Sequence, residues 1–274
     1  MSLRLAILAD IHGNLPAFEA ALKHVAHQNV DQIIIAGDII TGSPDSADCW
    51  KLALSLSCPI LRGNHERYVS HYGTPLASPE WSTEKYAPLQ WTLSQLNSQE
   101  CQAMALLPAN LRLPHAQDLF IVHASERNDS DAVGAHTPEE QLSVMFPYSE
   151  ERFIIRAHNH VGQTRVWRNK FLITCGSVGL PLDGHPTAQY LILEQEKGGW
   201  QIQHQSVPYS LDVVIQRFRD TQYLASTGPM GRLFFREVVT ASQQLVPFLR
   251  LHKQWSKEEN LSLSEAVDRF LMDY

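Results

Sequence analysis

In the stretch Leu3-Arg-Leu-Ala-Ile-Leu-Ala-Asp10-Ile-His12-Gly-Asn14, a run of apolar residues leads directly into a polar cluster. An apolar run of this length is typical of a strand that is buried on both faces of a sheet. Asn14 can cap a following helix, and Pro16 is tolerated in its first turn, so we predict a helix from Leu15 to about Gln28. The stretch therefore predicts a strand, a polar turn and a helix in succession.

The same succession continues along the first part of the chain. Ile33-Ile-Ile-Ala36 is a second apolar run, residues 46–56 show a helical pattern, and Pro59-Ile-Leu61 reads as a third short strand that ends at Arg62-Gly-Asn-His65. Alternating strands and helices are typical of an α/β protein with parallel strand pairs in its sheet.

The later part of the sequence is richer in strands. Residues 78–107 look helical, and six β-rich runs follow, several of them joined by short turns typical of hairpins. The six runs are Leu119–Val122, Phe153–Ile155, Thr164–Trp167, Phe171–Ile173, Tyr190–Leu193 and Trp200–Ile202. We therefore predict two β-sheets, one formed early and one late, with helices outside them.

The chain becomes helical again from Ser210. Apolar residues recur at helical spacing from Leu211 to Phe218 and again from Phe235 to Leu249, and Ser262-Leu-Ser-Glu265 is a capping-box pattern before a third helix. We predict one domain over residues 1–208 and a helical C-terminal extension over 209–274. The apolar stripes are expected to pack on that same domain, and a homo-oligomer contact through them is the alternative.

Composition narrows the class of protein. The 274 residues are 44% hydrophobic, which suits a sizeable buried core, and the net charge of −7 disfavours a nucleic acid polymer as partner. Four cysteines without a CxxC pair predict reduced thiols rather than a disulfide scaffold. No apolar run approaches the length that crosses a bilayer. We expect a cytoplasmic protein with no membrane contact.

Five polar clusters lie at or just after the ends of predicted strands, where α/β proteins assemble their sites. Asp10 and His12 are two residues apart, as are His158 and His160, and in extended backbone this spacing points both side chains to the same side. Each pair could therefore bind one ion. The five clusters are Asp10-x-His12, Gly37-Asp38, Gly63-Asn-His-Glu66, His123 and His158-x-His160.

The types of side chain indicate which metals fit. Imidazole with carboxylate and amide oxygen, and no thiolate, suits Mn, Fe, Co or Zn, and we expect Mn foremost. Seven such ligands are too many for one tetrahedral ion, and they fit two ions that share a bridging carboxylate and hold a hydroxide between them. The candidate ligands are Asp10, His12, Asp38, Asn64, His123, His158 and His160.

These motifs, in this order, resemble those of the calcineurin-like metallophosphoesterases. The motifs are Ala9-Asp-Ile-His-Gly-Asn14, Gly37-Asp38, Arg62-Gly-Asn-His-Glu66, Val122-His123 and His158-Asn-His160. Gly37–Asp45 and Gly176–Pro181 with Asp183-Gly184 resemble the small bacterial branch of that superfamily. The resemblance covers roughly residues 3–205. It implies a four-layer α-β-β-α sandwich of two mixed β-sheets.

The resemblance also implies a role for each position. One metal would be held by Asp10, His12 and His160, and the other by Asn64, His123 and His158, with Asp38 bridging them. His65 would be catalytic, stabilising the phosphoryl group or protonating the leaving oxygen. Asn64 and His65 would contact the substrate. Independently of the resemblance, Arg62, Arg127 and Arg165 lie near these clusters in the sequence and could contact phosphate oxygens, Arg62 foremost. A salt bridge or a surface position is the favoured alternative for each of the three.

The sequence departs from the family at three places. Ala157 stands where the family has glycine, Asn159 where a small hydroxyl residue is common, and Thr174-Cys175 where Asn-Pro is frequent. None of these changes removes a ligand. Thr41-Gly42 stand where protein serine/threonine phosphatases continue with an acid and an arginine, which makes a protein phosphatase the less favoured alternative.

We predict a dinuclear metal-dependent phosphoesterase that hydrolyses a small phosphate mono- or diester. A nucleotide-specific phosphodiesterase or a dinucleoside polyphosphate hydrolase is the enzyme alternative, and a base-stacking aromatic residue such as Trp81, Trp91 or Tyr68 near the site would favour it. A non-catalytic metal-binding scaffold is the alternative from another class. It would tolerate loss of His65 without loss of function.

Overall fold

The computed structural model describes residues 2–273, which form nine strands and ten α-helices. The strands are β1 (Arg4–Leu8), β2 (Gln32–Ile35), β3 (Asn110–Leu113), β4 (Ala116–Val122), β5 (Phe153–Arg156), β6 (Gln163–Trp167), β7 (Lys170–Thr174), β8 (Thr187–Glu196) and β9 (Gly199–Pro208). The helices are α1 (Leu15–Val25), α2 (Ser46–Ser55), α3 (Asn64–His71), α4 (Ala87–Gln95), α5 (Ser98–Ala105), α6 (Glu139–Met145), α7 (Leu211–Asp220), α8 (Tyr223–Thr240), α9 (Leu245–Glu258) and α10 (Leu263–Asp273).

The strands form two mixed sheets. One has the order β2-β1-β8-β9, in which β1 pairs with β2 in parallel and the other pairs are antiparallel. The other has the order β3-β4-β5-β7-β6, with β4, β5 and β7 parallel to one another and antiparallel strands at both edges. The carboxyl ends of β1 and β2 therefore lie together in the first sheet, and those of β4 and β5 lie together in the second.

Alternate residues of each strand face different layers, which is the two-residue period of a pleated sheet. In β1, Leu5 and Ile7 belong to the apolar cluster between the sheets, with Ile121 and Ile155 of the second sheet. The neighbouring β1 residues Ala6 and Leu8 belong to a cluster with residues of α1 and α2. The outer face of the second sheet packs with α6. These layers are helix, sheet, sheet and helix, so the predicted four-layer sandwich is confirmed.

The C-terminal helices contact the sandwich at several points. In α8, the Tyr223 hydroxyl donates to the Gly42 carbonyl at 2.7 Å, and Phe234 shares an apolar cluster with Leu180. In α7, the Arg217 guanidinium pairs with the buried Asp45 carboxylate. Ser262 caps α10 as predicted, because its hydroxyl accepts from the Glu265 N–H while Glu265 accepts from the Ser262 N–H. The division into residues 1–208 and 209–274 stays a prediction. The two terminal residues, Met1 and Tyr274, lie outside the described part of the chain.

Several predicted elements differ from the structure. The expected strand Pro59–Leu61 forms only a parallel bridge between Ile35 and Ile60. The expected helix over 78–107 is divided into two short 3₁₀ turns, α4 and α5, since the Asn97 side chain accepts from two backbone N–H groups and begins a new helix. The expected helix from Phe235 to Leu249 is wrong in the same way, because the chain turns at Ala241, where φ is 49°.

Three short elements were not predicted, namely β3, α3 and α6. Helix α3 begins at Asn64, so the residues that follow this candidate ligand are helical for about two turns. Among the described residues, no helix is long and apolar enough to span a membrane. All four cysteines lie within the described part and have free thiols.

Candidate metal centre

Four of the five polar clusters lie at the carboxyl ends of strands, and the fifth, which contains Asn64, follows the parallel bridge at Ile60. Asp10 and His12 follow β1, Asp38 follows β2, His123 follows β4, and the pair His158 and His160 follows β5. Backbone hydrogen bonds join the loops, such as those from the His12 N–H to the Asp38 carbonyl at 3.0 Å and from the Ala157 N–H to the His123 carbonyl at 2.8 Å. The two sheets thus contribute to one site.

The backbone at five of the seven candidate ligands is left-handed. The φ angles are 53° at Asp10, 50° at His12, 54° at Asp38, 67° at His158 and 60° at His160. This corrects the prediction that the paired residues sit on extended backbone. Non-glycine residues in this region store strain, which persists only where surrounding contacts impose it and which concentrates at functional sites.

The first group of candidate ligands is Asp10, His12 and His160. One ligand atom of each lies within 4.8 Å of the others. The Nε2 atoms of His12 and His160 are 3.1 Å apart, and His160 Nε2 lies 3.9 Å from an Asp10 carboxylate oxygen. Asp10 also accepts the His158 N–H at 3.0 Å, which links this group to the other.

In three of the four candidate histidine ligands, the Nδ1 atom is held by a backbone carbonyl. His12 Nδ1 lies 2.8 Å from the Thr41 carbonyl oxygen, His160 Nδ1 lies 2.7 Å from that of Leu180, and His123 Nδ1 lies 2.7 Å from that of Ala36. A carbonyl only accepts, so each Nδ1 carries a proton. This is the way in which metal-binding histidines are usually oriented, with Nε2 left for the ion.

The second group of candidate ligands is Asp38, His123 and His158, again with one atom of each within 4.8 Å of the others. Asn64 joins this group, because one end of its amide lies 3.2 Å from His123 Nε2, 3.0 Å from His158 Nδ1 and 3.2 Å from an Asp38 carboxylate oxygen. In the metal-free protein an amide NH₂ group at this position can donate to His158 and Asp38, and the flipped amide would present its oxygen to an ion. The four side chains therefore converge on one point.

Asp38 lies between the two groups. One carboxylate oxygen is 3.3 Å from His123 Nε2 and 3.8 Å from His12 Nε2. The other oxygen accepts the His65 N–H at 2.9 Å. The set of one carboxylate between two clusters of imidazole, carboxylate and amide ligands fits two divalent ions of the Mn, Fe, Co or Zn type.

Burial and the neighbouring charges set the protonation of these side chains. Burial lowers the pKa of His12 well below its usual value and that of His158 to about 3, so both rings are neutral. Burial raises the pKa of Asp10 to about 6. Burial would also raise the pKa of Asp38, but the charges of His123 and His65 outweigh it and hold that pKa well below its usual value.

His123 differs from the other histidines. Burial alone would lower its pKa, but the Asp38 carboxylate beside it raises the pKa to about 10. In the metal-free protein His123 and Asp38 are therefore an ion pair. A metal ion bound at His123 Nε2 has to displace that proton.

His65 lies between the two groups, with a ring nitrogen within 4.8 Å of ligand atoms of His12 and Asp38. Its ring is 4.9 Å from the His12 ring and 5.4 Å from the Tyr68 ring, both edge-on. Its Nδ1 atom is buried, and no residue between 2 and 273 gives it a hydrogen-bond partner. Burial lowers the pKa of His65. An unpartnered imidazole nitrogen next to the ligand clusters suits contact with a substrate.

Glu66 is part of the quoted motif, but sequence reasoning assigned no role to it. Its carboxylate is fully buried and accepts three backbone N–H groups, those of Asp38 at 2.8 Å, Ile39 at 2.8 Å and Gly63 at 2.9 Å. A Cβ atom at Gly63 would lie 2.2 Å from an Asp38 carboxylate oxygen. Glu66 and Gly63 therefore hold the Asp38 loop against the start of α3.

Arg156 was missed because it lies inside the strand β5. It is fully buried, and its guanidinium donates to the carbonyls of Ala124 at 2.9 Å and Asp131 at 2.8 Å and to the Asn159 amide oxygen at 2.5 Å. The same Asn159 oxygen accepts the Val133 N–H at 2.9 Å. The departure from the family at Asn159 thus has a structural role, which is to fix the loop between His158 and His160.

A cavity of about 230 Å³ opens over these clusters. Six of the candidate site residues line it, together with residues of the C-terminal helices that sequence reasoning did not connect with the site. The six are His12, Asp38, Asn64, His65, His158 and His160.

None of the three arginine candidates lines this cavity. Arg62 and Arg127 line a separate cavity behind His123, where Arg127 pairs with Asp131, and Arg165 donates to the Gly134 carbonyl. The structure therefore does not bring Arg62 to the position expected for a phosphate contact.

The three aromatic candidates also lie outside the cavity that His65 lines. Trp81 is buried against Tyr68, with ring centroids 5.0 Å apart, and Tyr68 itself reaches only the edge of the His65 ring. The indole N–H of Trp91 donates to the Pro44 carbonyl at 3.1 Å. None of the three is a lining residue that could stack on a nucleotide base.

Comparison with known proteins assigns the chain to a family. A sequence profile of the family described as calcineurin-like phosphoesterase matches residues 3–162. An uncharacterised protein of Methanocaldococcus jannaschii is 24% identical over 211 residues, which cover 70% of this chain and 83% of that one. The chain belongs to the calcineurin-like phosphoesterase family, as the motifs predicted. It is a metal-dependent phosphoester hydrolase by class.

Two solved structures are similar to this fold. A metallophosphoesterase from Sphaerobacter thermophilus has a TM-score of 0.64 at 23% identity, covering 83% of this chain and 100% of that one. A hypothetical protein from Pyrococcus horikoshii has a TM-score of 0.70 at 18% identity, covering 88% of this chain and 100% of that one. At these identities the likeness is one of fold.

Proposed function

We propose that the protein is a dinuclear metal-dependent phosphoesterase that hydrolyses a small phosphate mono- or diester. The observation that carries the proposal is the position of Asp38 between two groups of candidate ligands. Within each group, one ligand atom of each residue lies within 4.8 Å of the others. Asp10, His12 and His160 would hold one ion, and Asn64, His123 and His158 the other.

When bound, two such ions make water a nucleophile near neutral pH and neutralise charge on the phosphoryl oxygens. We expect manganese foremost, because the ligands are imidazole, carboxylate and amide oxygen without thiolate. The chain's own residues orient these ligands, and the carbonyls of Thr41, Ala36 and Leu180 fix the ring tautomers. The four free thiols favour a reducing compartment, which agrees with a cytoplasmic location.

His65 and Asn64 are the proposed substrate contacts. The unpartnered Nδ1 atom of His65 and its place beside His12 support a role in binding the phosphoryl group or protonating the leaving oxygen. A scaffold that only binds metal has no use for this histidine. Loss of His65 should therefore remove turnover and leave the metal content unchanged.

The test measures hydrolysis of p-nitrophenyl phosphate and bis-p-nitrophenyl phosphate by metal-stripped protein, with and without added Mn²⁺. The variant is His65→Ala, and the matched control is His71→Ala, which removes a histidine from the last turn of the same helix. Turnover that Mn²⁺ restores, that His65→Ala lacks and that His71→Ala retains would support the proposal. Full turnover by His65→Ala would refute the role of His65, and no turnover by metal-loaded wild type would favour a scaffold.

A further inference from the structure

The cavity over the metal centre has two walls of different origin. The inner wall is formed by the candidate ligands and His65, on the loops of the sandwich. The outer wall is formed by the end of α8, the turn that follows it and the start of α9, with two leucines from the loop after β7. The residues of the outer wall are Phe234, Glu237, Gln243, Leu245 and Val246, with Leu180 and Leu182.

Hydrogen bonds fix the outer wall relative to the ligands. One Glu237 carboxylate oxygen accepts the N–H groups of Gln244 and Leu245, both at 2.8 Å, and so holds α9 against α8. The Ala241 carbonyl accepts the Gly184 N–H at 2.7 Å, which ties the turn to the loop after β7. The same loop carries Leu180, whose carbonyl orients His160.

The size of the cavity limits the organic part of a substrate. Its volume of about 230 Å³ lies below the roughly 300–1,000 Å³ of pockets that enclose drug-sized ligands. Phe234 is the one aromatic carbocycle that lines it among the described residues, and the rest of the outer wall is aliphatic apart from Glu237 and Gln243. A nucleoside beside the phosphate would therefore exceed the space, whereas one or two small groups fit.

The charge of the lining limits the charge of a substrate. Within residues 2–273, no lysine or arginine lines the cavity, and Glu237 adds a carboxylate to the outer wall. A phosphate monoester carries close to two negative charges at neutral pH, since its second pKa is about 6. A diester carries one. Positive charge is then available only at the metal positions. A second negative charge on the substrate would be repelled by the Glu237 carboxylate, and no lysine or arginine side chain in the cavity would offset that repulsion.

From the size and charge of this cavity, we infer that the α8–α9 junction selects the substrate: a phosphate diester with one negative charge and small, uncharged organic groups. This inference rests on the proposed function of the same site. It assigns the C-terminal helices a part in specificity, with Val246 limiting size and Glu237 limiting charge.

The test compares three substrates with metal-loaded protein at pH 8: methyl p-nitrophenyl phosphate, bis-p-nitrophenyl phosphate and p-nitrophenyl phosphate. Wild type should prefer the methyl diester in kcat/KM. Val246→Ala removes two carbons from the cavity wall and should raise the relative kcat/KM of the bulky diester at least about tenfold, since one methylene in a pocket is worth about that much. Leu249→Ala is the matched control. Leu249 lies on the same helix as Val246 and is similarly exposed, at 39% against 42%, but only Val246 lines the cavity.

Glu237→Gln tests the charge. It keeps an oxygen for the two N–H groups and removes the negative charge, so the monoester should gain about tenfold relative to the methyl diester, through KM. Glu265→Gln, on the exposed start of α10, is the matched control. Unchanged substrate ratios in both cavity variants, with wild type active, would overturn the inference and leave the proposed function standing. No metal-dependent turnover of any of the three substrates by wild type would overturn both.

Discussion

The imidazole rings of His12 and His160 face each other with their Nε2 atoms 3.1 Å apart, and each ring donates its Nδ1 proton to a backbone carbonyl. Burial lowers the pKa of His12 well below its usual value, so the ring is neutral. The Nε2 lone pair of His12 then points at His160 Nε2. A cation held here would take both nitrogens as ligands, so metal binding and stability are expected to be interdependent.

His160→Ala should therefore have different effects with and without metal. In metal-free protein it leaves the buried Leu180 carbonyl without its partner and should cost about 1–3 kcal/mol of stability. With Mn²⁺ present it removes a ligand, and we expect the affinity for metal to fall by at least about tenfold, since even partners of ligands contribute 10–100-fold. The measurement is the rise in melting temperature on adding Mn²⁺, which should be smaller in the variant.

His185→Ala is the control for this comparison, because His185 is exposed and outside the cavity. It should keep the full rise in melting temperature. An equal rise in wild type and His160→Ala would contradict a role for His160 as a ligand.

Asp38 and Asp10 should differ in how many ions they control. Asp38 lies between both groups, whereas Asp10 belongs to the first group only. We expect Asp10→Asn to lose about one of two bound ions and Asp38→Asn to lose more than one, because a shared ligand contributes to both positions. Elemental analysis of dialysed protein measures the ratio of metal to chain. The same loss in both variants would argue against a bridging position for Asp38.

Much of the fold could be predicted because its strands are buried on both faces. The β1 run from Arg4 to Leu8 has four fully buried residues, and such runs stand out in any sequence. The edge strand β3 is short and only one of its residues is buried, so its sequence carries little pattern. Helix α3 begins with polar residues used by the site and ends within eight residues, which hides its helical period.

Within the site, the types and order of the side chains could be predicted, but not the contacts that position them. Left-handed backbone at Asp10 and Asp38 depends on hydrogen bonds between separate loops, which a local pattern does not reveal. The break between α8 and α9 occurs at Ala241, and Pro247 in the first turn of α9 is a local sequence signal for it. Glu237 accepts two N–H groups across the turn, and this contact becomes visible only in three dimensions.

Glu66→Gln tests how the Asp38 loop is held. The glutamine amide can accept with its oxygen only, so at least one of the three backbone N–H groups would face an NH₂ group. A buried donor left without a partner costs about 1–3 kcal/mol. We expect the free energy of unfolding to fall by that amount and metal affinity to fall with it, since the displaced loop carries Asp38. Chemical denaturation and Mn²⁺ titration measure the two effects.

Glu100→Gln is the matched control for Glu66→Gln, because Glu100 accepts one backbone N–H in an exposed capping box. It should change stability only slightly and leave metal affinity intact. If Glu66→Gln lowers stability without affecting metal affinity, the carboxylate supports the fold and does not position the site.

Asn159→Thr would restore a small hydroxyl residue where the family commonly has one. Here it should be destabilising, because the Asn159 amide oxygen accepts from both the buried Arg156 guanidinium and the Val133 N–H. A shorter hydroxyl cannot reach both donors, and an unsatisfied buried charged donor costs about 1–3 kcal/mol or more. Thermal unfolding measures the loss, and an unchanged or higher melting temperature would show that Arg156 finds other acceptors.

Glu237 should give the protein a pH-dependent stability that Glu237→Gln lacks. Burial raises the pKa of this carboxyl group from 4.5 to about 7 in the folded, metal-free protein. In the unfolded chain the pKa returns to about 4.5, so between pH 4.5 and 7 the folded state holds a proton that the unfolded state has lost. Folding is then progressively disfavoured as pH rises, because the folded state has to accommodate a buried charge above pH 7.

This loss of stability occurs as the pH rises, whereas ordinary acid denaturation is a loss of stability as the pH falls. The contribution of Glu237 is fully present below pH 4.5 and is lost as pH rises through 7, by an amount on the order of 3 kcal/mol for a shift of this size. Wild type should therefore lose stability relative to Glu237→Gln between pH 4.5 and 7, and the difference should be constant above that. Urea unfolding in the presence of a chelator, at several pH values, measures both proteins. A difference that is independent of pH would mean that Glu237 titrates alike in the folded and unfolded chains, and that its carboxylate is ionised in the cavity well below pH 7.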